Sequence, residues 1–337
     1  MTIKDIARES GYSVGTVSRV LNNSEGVSEK ARKKITEVVE KYHFQLNTNA
    51  KHLKKQRRDG IAIIIKGTQN MFFASMVEQM QGMIKQKNYD CIICYINEYD
   101  NELEYALQLC KDRQLLGILF LGSNEAHFRQ HFSQMSVPCV LVTNSAKDLG
   151  YDNLSSVGTD DITAAKFAVE HLMSLGHRRI GVLGGKISVS AAAFLRYEGC
   201  KKAFSEHHVD FDPDIQYESA YFSISDGYYA MMRLLDKMPD LTAVFAMSDV
   251  MAVGAIRALH ERGFRIPEDV SIIGFDGIDI GNYMIPCLTT IRQYREKIAS
   301  RSIEILLNCI EESGTAVHET EPFSLVPGES VCRCFGN

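Results

Sequence analysis

The chain has 337 residues, 45% of them hydrophobic and 23% charged, with seven prolines and no low-complexity run, which is enough for two or three domains with separate cores. No apolar stretch reaches membrane-spanning length and no charged-then-apolar leader opens the chain, so the expectation is a cytoplasmic protein without a membrane partner. The net charge of −5 argues against nucleic acid only if it is evenly spread, yet residues 1–58 hold 13 Lys and Arg against 6 Asp and Glu, and the remainder 24 against 36.

The basic segment reads as three short helices. Thr2 is placed to cap the first, with Asp5 completing a weak capping box, and Ile3, Ile6 and Ala7 recur at helical spacing. Gly11 permits a tight turn, after which Ser13 caps a second helix from Val14 to Leu21 with Val17, Val20 and Leu21 facing inward. Its outer face carries Gly15, Thr16, Ser18 and Arg19, followed by Asn22. Ser28 caps a third helix buried along Ile35, Val38 and Val39. Helix, short Gly-containing turn and helix is the helix-turn-helix arrangement, which lays its second helix in the major groove of DNA. Arg19 is the one long donor on that face and suits a bidentate contact to guanine, whereas Ser13, Thr16, Ser18 and Asn22 suit phosphates. A bare three-helix packing module would show the same caps, and spacing alone leaves that reading open.

Between residues 45 and 58, Ala50 and Leu53 share one helical side and are surrounded by Lys51, Lys54, Lys55, Arg57 and Arg58. Two apolar residues cannot hold a free helix this short, so a helix here is expected to order only on DNA. Two such helices in a dimer could wedge Leu53 into the minor groove while the lysines meet phosphates. A charged linker would account for the lysines but gives Leu53 no role.

From residue 60 onward short apolar runs alternate with amphipathic helical stretches: Ile61–Ile65, Cys91–Ile96, Gly117–Leu121, Val137–Val142, Arg179–Gly184, Thr242–Met247 and Val270–Phe275. Ile- and Val-rich strands separated by helices imply βαβ units, and the rhythm restarts after about residue 158, so two doubly wound parallel-sheet lobes are expected with a ligand cleft between them. Phe72, Phe73, Asp161, Arg196, Phe222, Ser248 and Asp276 sit where strands end or helices begin. Each alone could be a cap or an ion-pair partner, but Asp, Arg and aromatic rings together are what a hydroxyl-rich ligand needs: acceptors, donors and a stacking face. The nine cysteines are scattered through apparent strands and helices, and the Cys91–Cys94 pair points to opposite faces of a strand, so they read as reduced thiols and no metal site is assigned. Gly184-Gly185 lacks any accompanying phosphate-binding pattern and reads as a turn.

Thr2-Ile-Lys-Asp-Ile-Ala-Arg8, Ser13-Val-Gly-Thr-Val-Ser-Arg-Val-Leu-Asn22 and Val27-Ser-Glu-Lys-Ala-Arg32 resemble the opening of the lactose/galactose repressor (LacI/GalR) family, and residues 47–53 are similar to its hinge helix. His171-Leu-Met-Ser-Leu-Gly-His-Arg-Arg-Ile-Gly181 and Ile266-Pro-Glu-Asp-Val-Ser-Ile-Ile-Gly-Phe-Asp276 extend the likeness, so it spans essentially the whole chain. The resemblance implies base-reading positions at Val14, Gly15 and Arg19, DNA contacts from Asn47 and Ala50, and an intercalating Leu53. It also implies an effector pocket lined by Arg196, Phe222, Ser248 and Asp276 from one lobe, with Phe72 and Phe73 from the other. Gly15 offers no side chain to a base, Leu46 stands where the family usually has Pro, and Ser248 where it more often has Asn.

The expected architecture is an all-α helix-turn-helix head plus a periplasmic-binding-protein-like α/β effector domain. The head spans residues 1–46, the hinge 47–59 and the effector and dimerisation domain 60–337, with one lobe at 60–158 and 292–322 and the other at 159–291 and 323–337. The expected function is a DNA-binding transcriptional repressor controlled by a small ligand, a sugar or else a purine-type corepressor. A homodimer on a near-palindromic operator is expected, with a tetramer as the alternative; the lack of a leucine heptad after Thr315 weighs toward the dimer. No nucleophile elbow, HExxH or Walker lysine is present, so an enzyme, and with it a cofactor, is not expected, and an exported solute-binding protein would need a leader.

Overall fold

A computed structural model describes residues 3–21, 26–42, 60–67, 70–312 and 314–334. The chain divides into two compact units, Met1–Arg58 and Asp59–Asn337.

In the first unit, α1 (Ile3–Ser10), α2 (Val14–Leu21) and α3 (Glu29–Lys41) pack on a small core of Ile6, Ala7, Val17, Val20, Ile35 and Val38. Gly11, at φ 76°, turns the chain between α1 and α2. Ser28 caps α3, its Oγ accepting from the Ala31 amide at 3.4 Å.

The second unit holds two six-stranded sheets, each the floor of one lobe. The first comprises β1 (Gly60–Lys66), β2 (Asp90–Ile96), β3 (Leu115–Leu121), β4 (Cys139–Thr143), β5 (Leu154–Thr159) and β11 (His318–Glu321), in the order β11-β5-β4-β3-β1-β2 and parallel throughout. The second comprises β6 (Ile180–Gly184), β7 (Tyr217–Ser219), β8 (Ala243–Ala246), β9 (Ser271–Asp276), β10 (Thr289–Gln293) and β12 (Phe323–Val326), in the order β12-β10-β9-β8-β6-β7, with only β12 antiparallel. Strand order reverses between β1 and β3 and again between β6 and β8, and it is outside the carboxyl ends of strands at such points that α/β sheets bind ligands.

Central strands are apolar on both faces because helices cover both, as β1 shows by being buried along its whole length. Helices α4 (Met71–Gln86) and α12 (Arg295–Glu312) share a core with β1, β3 and β4. On the other face, α5 (Glu102–Asp112) and α6 (Glu125–His131) pack around Phe120, Phe128 and Phe132. In the second lobe α7 (Asp161–Ser174), α8 (Ala191–Glu206), α10 (Ile224–Lys237) and α11 (Asp249–Glu261) surround Phe245 and Phe275, with one-turn α9 (Pro213–Gln216) leading into β7. Truncating a fully buried ring such as Phe245 to Ala costs about 3–5 kcal/mol. The chain crosses between lobes after β5, after β10 and between β11 and β12. The boundary expected at 291/292 falls inside β10, whose Arg292 pairs with Asp276 and Ser324 and therefore belongs to the second sheet.

Candidate functional site

On the head, Ser13 precedes α2 and its Oγ accepts from the Thr16 amide at 3.2 Å, while the two hydroxyls lie 2.9 Å apart. Val17 and Val20 are buried, so the opposite side of α2 presents Val14, Gly15 and Arg19 to solvent, with Thr16 and Ser18 half-buried at its margin. A Cβ on Gly15 would meet nothing nearer than Ser13 Oγ at 3.8 Å, so packing does not require glycine there. The expected contacts at Asn22, Asn47, Ala50 and Leu53 lie outside the described residues.

Between the lobes lies a cavity walled by Phe72, Phe73, Arg196, Phe222 and Asp276. Asn70 caps α4, its Oδ1 accepting from the Phe72 amide at 3.0 Å, and so aims the two rings, whose centroids lie 5.7 Å apart. Arg196 is held from four sides. Its Nε donates to Asp161 Oδ1 at 2.8 Å and its Nη1 to the Met247 carbonyl at 2.5 Å. Its Nη2 lies 3.7 Å from Asp276 Oδ1, and the Phe275 ring stacks 3.8 Å from Cζ. The backbone makes this possible at Gly199, where a Cβ would sit 2.3 Å from the Ile162 carbonyl; α8 approaches α7 closely enough for Arg196 to reach Asp161.

Asp276 ends β9 at φ 110° and its Oδ1 also accepts from Gln293 Nε2 at 2.8 Å. Burial is the main cause that lifts its carboxyl to about 7, against the pull of Arg196 and Gln293. Asp249, fully buried beneath it, is pushed well up by burial and then by Asp276, although it accepts from Thr290 Oγ1 at 2.6 Å and the Ile278 amide at 2.8 Å. Burial likewise raises Asp161. Two buried carboxyls, Asp161 and Asp276, thus flank one guanidinium, which fixes the arginine as a rigid donor and leaves Asp276 ready to accept from a ligand hydroxyl.

Two expected residues stand back from the wall. Asp161 acts through Arg196. Ser248 is fully buried as the N-cap of α11, its Oγ accepting from the Met251 amide at 3.3 Å, and does not line the cavity; its short hydroxyl is engaged by the cap. Sequence reasoning also passed over part of the wall. Lys66, at the end of β1, lines the cavity and donates to Glu102 Oε2 at 2.8 Å. Glu102 further accepts from the Asn124 amide at 2.6 Å and has His127 Nδ1 at 2.8 Å, so one buried carboxylate ties the ends of β1 and β3 together. Ser123 follows β3 and Asn144 follows β4, and both line the cavity. At its mouth the hydroxyls of Tyr99 and Tyr221, one from each lobe, meet at 2.5 Å. The same strand-end rule that singled out Asp276 would have found Lys66, Ser123 and Asn144, each of which follows an apolar run.

Comparison with known proteins bears on the head and the effector domain alike. Residues 2–47 match the bacterial regulatory proteins of the lacI family, and residues 169–331 match the periplasmic binding protein-like domain. The HTH-type transcriptional regulator MalR of Clostridium butyricum is 34% identical over 99% of both chains. The chain belongs to the LacI family. The HTH-type transcriptional repressor PurR of Pasteurella multocida is another relative, 30% identical over 98% of each chain. Among solved structures, a transcriptional regulator CelR–cellobiose complex superposes with a TM-score of 0.69 at 25% identity, covering 98% of this chain and 99% of that one. This LacI-family member is therefore a DNA-binding transcription regulator, with a helix-turn-helix head and a two-lobed effector domain. Among the described residues, no helix is long and apolar enough to cross a membrane.

Proposed function

We propose that the protein is a cytoplasmic, non-enzymatic repressor whose operator affinity is set by a sugar held between its lobes. The observation that carries this reading is the combination at one cavity: the Asp276 acceptor, the clamped Arg196 donor, and the rings of Phe72, Phe73 and Phe222. Sugars are bound by pairing vicinal hydroxyls with acceptors and donors while ring C–H faces stack on aromatics. The CelR–cellobiose complex on the same fold supports the ligand class. The basic charge surplus of residues 1–58 and the open face of α2 support binding to double-stranded operator DNA, with Arg19 reading a base and Ser13, Thr16, Ser18 and Asn22 on phosphates.

The operator is contacted by a homodimer, one head per half-site. Ligand changes the relation of the two lobes and with it the spacing of the two hinge segments, so that Asn47, Ala50 and Leu53 gain or lose their hold on the minor groove. Coupling of about 1–3 kcal/mol between ligand and DNA is typical of such a device. A thermal-shift screen with sugars and purines tests the ligand class. A sugar at about 100 times its Kd stabilises the native state by about 2.7 kcal/mol and raises Tm by several degrees. A response to hypoxanthine or guanine alone replaces the sugar reading with a purine one. Leu53→Ala tests the wedge: operator affinities equal to wild type, with and without effector, would remove it.

A further inference from the structure

We propose that Tyr99 and Tyr221 form a clasp across the mouth of the cavity that gates ligand entry and exit, setting how fast a ligand exchanges rather than which ligand is chosen. The inference rests on the proposed ligand site between the lobes, but it concerns a contact that the protein makes with itself. Tyr99 belongs to the first lobe, on the turn after β2, and Tyr221 to the second, on the turn after β7. One hydroxyl donates to the other at 2.5 Å, and the rings meet edge to face with centroids 6.0 Å apart at 88°. Lys186, on the turn after β6, adds a second contact across the cleft, its Nζ 5.8 Å from the centroid of the Tyr99 ring. The second lobe thus holds Tyr99 both at its hydroxyl and at its ring.

Both tyrosines are mounted on fixed turns. Asp100 Oδ2 accepts from the Asn97 amide at 2.9 Å and from Asn97 Nδ2 at 3.3 Å, which closes the turn that displays Tyr99. Facing it, the Ala220 amide donates to the Gly184 carbonyl at 2.8 Å, and Ser223 Oγ caps α10 by accepting from the Asp226 amide at 3.1 Å. Gly185 brings the Lys186 turn alongside, since a Cβ there would come within 2.6 Å of the Phe222 ring. Tyr99 is 58% and Tyr221 42% exposed, so core packing is not what brings the two rings together. Next to them, Glu98 of the first lobe and Asp226 of the second line one space. Glu98 is pushed up by burial and then by Asp226, against the pull of Lys66. Closure therefore brings like charges together, and the tyrosine pair is a neutral contact that offsets their opposition. Tyr99 and Tyr221 line both the ligand cavity and this second space, so the pair stands between the two. Because each hydroxyl is the other's partner, the clasp forms without any ligand atom and must open for a ligand to pass.

The test compares the full-length wild type with Tyr99→Phe, Tyr221→Phe and the double variant, which lose a hydroxyl but keep both rings. Amide hydrogen exchange read by mass spectrometry reports on the clasp with no ligand needed. Each single variant should speed exchange by about two- to tenfold, the net worth of one hydrogen bond, at residues 97–100 and 219–223 alike. The double variant should go no faster than either single one, because both remove the same bond. Exchange that changes only on the lobe carrying the substitution, or on neither, would overturn the clasp. Surface plasmon resonance then follows whichever of glucose, ribose, cellobiose and maltose binds the wild type most tightly. The gate predicts association and dissociation rates that rise together in the single variants, leaving Kd within about twofold of wild type. Faster dissociation alone, with Kd rising in step, would make the tyrosines ligand contacts and overturn the gate. Failure of every sugar to bind the wild type would overturn the sugar reading, while the hydrogen-exchange result still decides the clasp.

Discussion

At Arg196 the molecule places two carboxyls, Asp161 and Asp276, against one positive charge inside a cavity wall, while a third, Asp249, is buried close enough to Asp276 for the two to oppose each other's ionisation. Burial disfavours every ionised carboxylate there, and the guanidinium offsets that cost only for its near neighbours. Removing it with Arg196→Ala leaves Asp161 and Asp276 without their counter-charge, and urea denaturation should show a loss of about 3–5 kcal/mol. Asp276 titrates near 7 in the folded protein against an ordinary value of 3.8, so the native state holds its proton more tightly than the unfolded chain does. Its contribution to stability is present below the ordinary value and is lost as pH rises through about 7. Asp276→Asn removes this term, so the melting temperature of the unliganded variant relative to wild type should climb between pH 5 and pH 8. A pH-independent difference would show that Asp276 is not the titrating group. Sugar affinity of the wild type should strengthen over the same interval, as the carboxylate becomes the better acceptor.

At the scale of elements, α2 is decided by few residues. Ser13 caps it, Val17 and Val20 anchor it, and the side opposite them is left to solvent, where the proposed function places DNA. Arg19→Ala should therefore cost about 1–3 kcal/mol on a specific operator and much less on random DNA; equal losses on both would make Arg19 a phosphate contact. Gly15→Ala fits without a clash and should raise head stability by about 0.5 kcal/mol, measured as the shift in Tm of the full chain's first transition. These helices were legible in the sequence because caps and apolar spacing are local signals. The central strands were legible as Ile- and Val-rich runs between turns. The edge strands were not: β11 is His-Glu-Thr-Glu and, among the described residues, pairs only with β5, while β7 holds three residues and a buried Glu218 tied to Arg233 and Lys237. Such strands exist through pairing made far along the chain, which composition does not register. The same limit separates Asp276 from Glu102, a helix-start carboxylate whose burial among Lys66, Asn124 and His127 only the fold reveals.

At the scale of the whole molecule, operator binding by a homodimer requires a surface for the second copy. Tyr283 is 86% and Ile285 95% exposed, on the segment between β9 and β10. Two such open apolar side chains on one segment are a place where a second copy could dock. Tyr283→Asp with Ile285→Asp should shift the sedimentation of the protein from dimer toward monomer, and operator affinity should fall with it, since each half-site alone offers half of the contacts. An unchanged dimer would place the interface elsewhere. The proposed coupling joins the two units: a sugar in the cleft of residues 60–337 would set the grip of residues 1–58 on DNA. It is tested most directly by fluorescence anisotropy on a near-palindromic operator, selected by the full protein from random duplexes, with and without saturating sugar identified by the thermal screen. Kd for the operator should change by about 5- to 150-fold while Kd for random DNA stays constant. Operator Kd values that coincide in the presence and absence of a sugar proven to bind would contradict it.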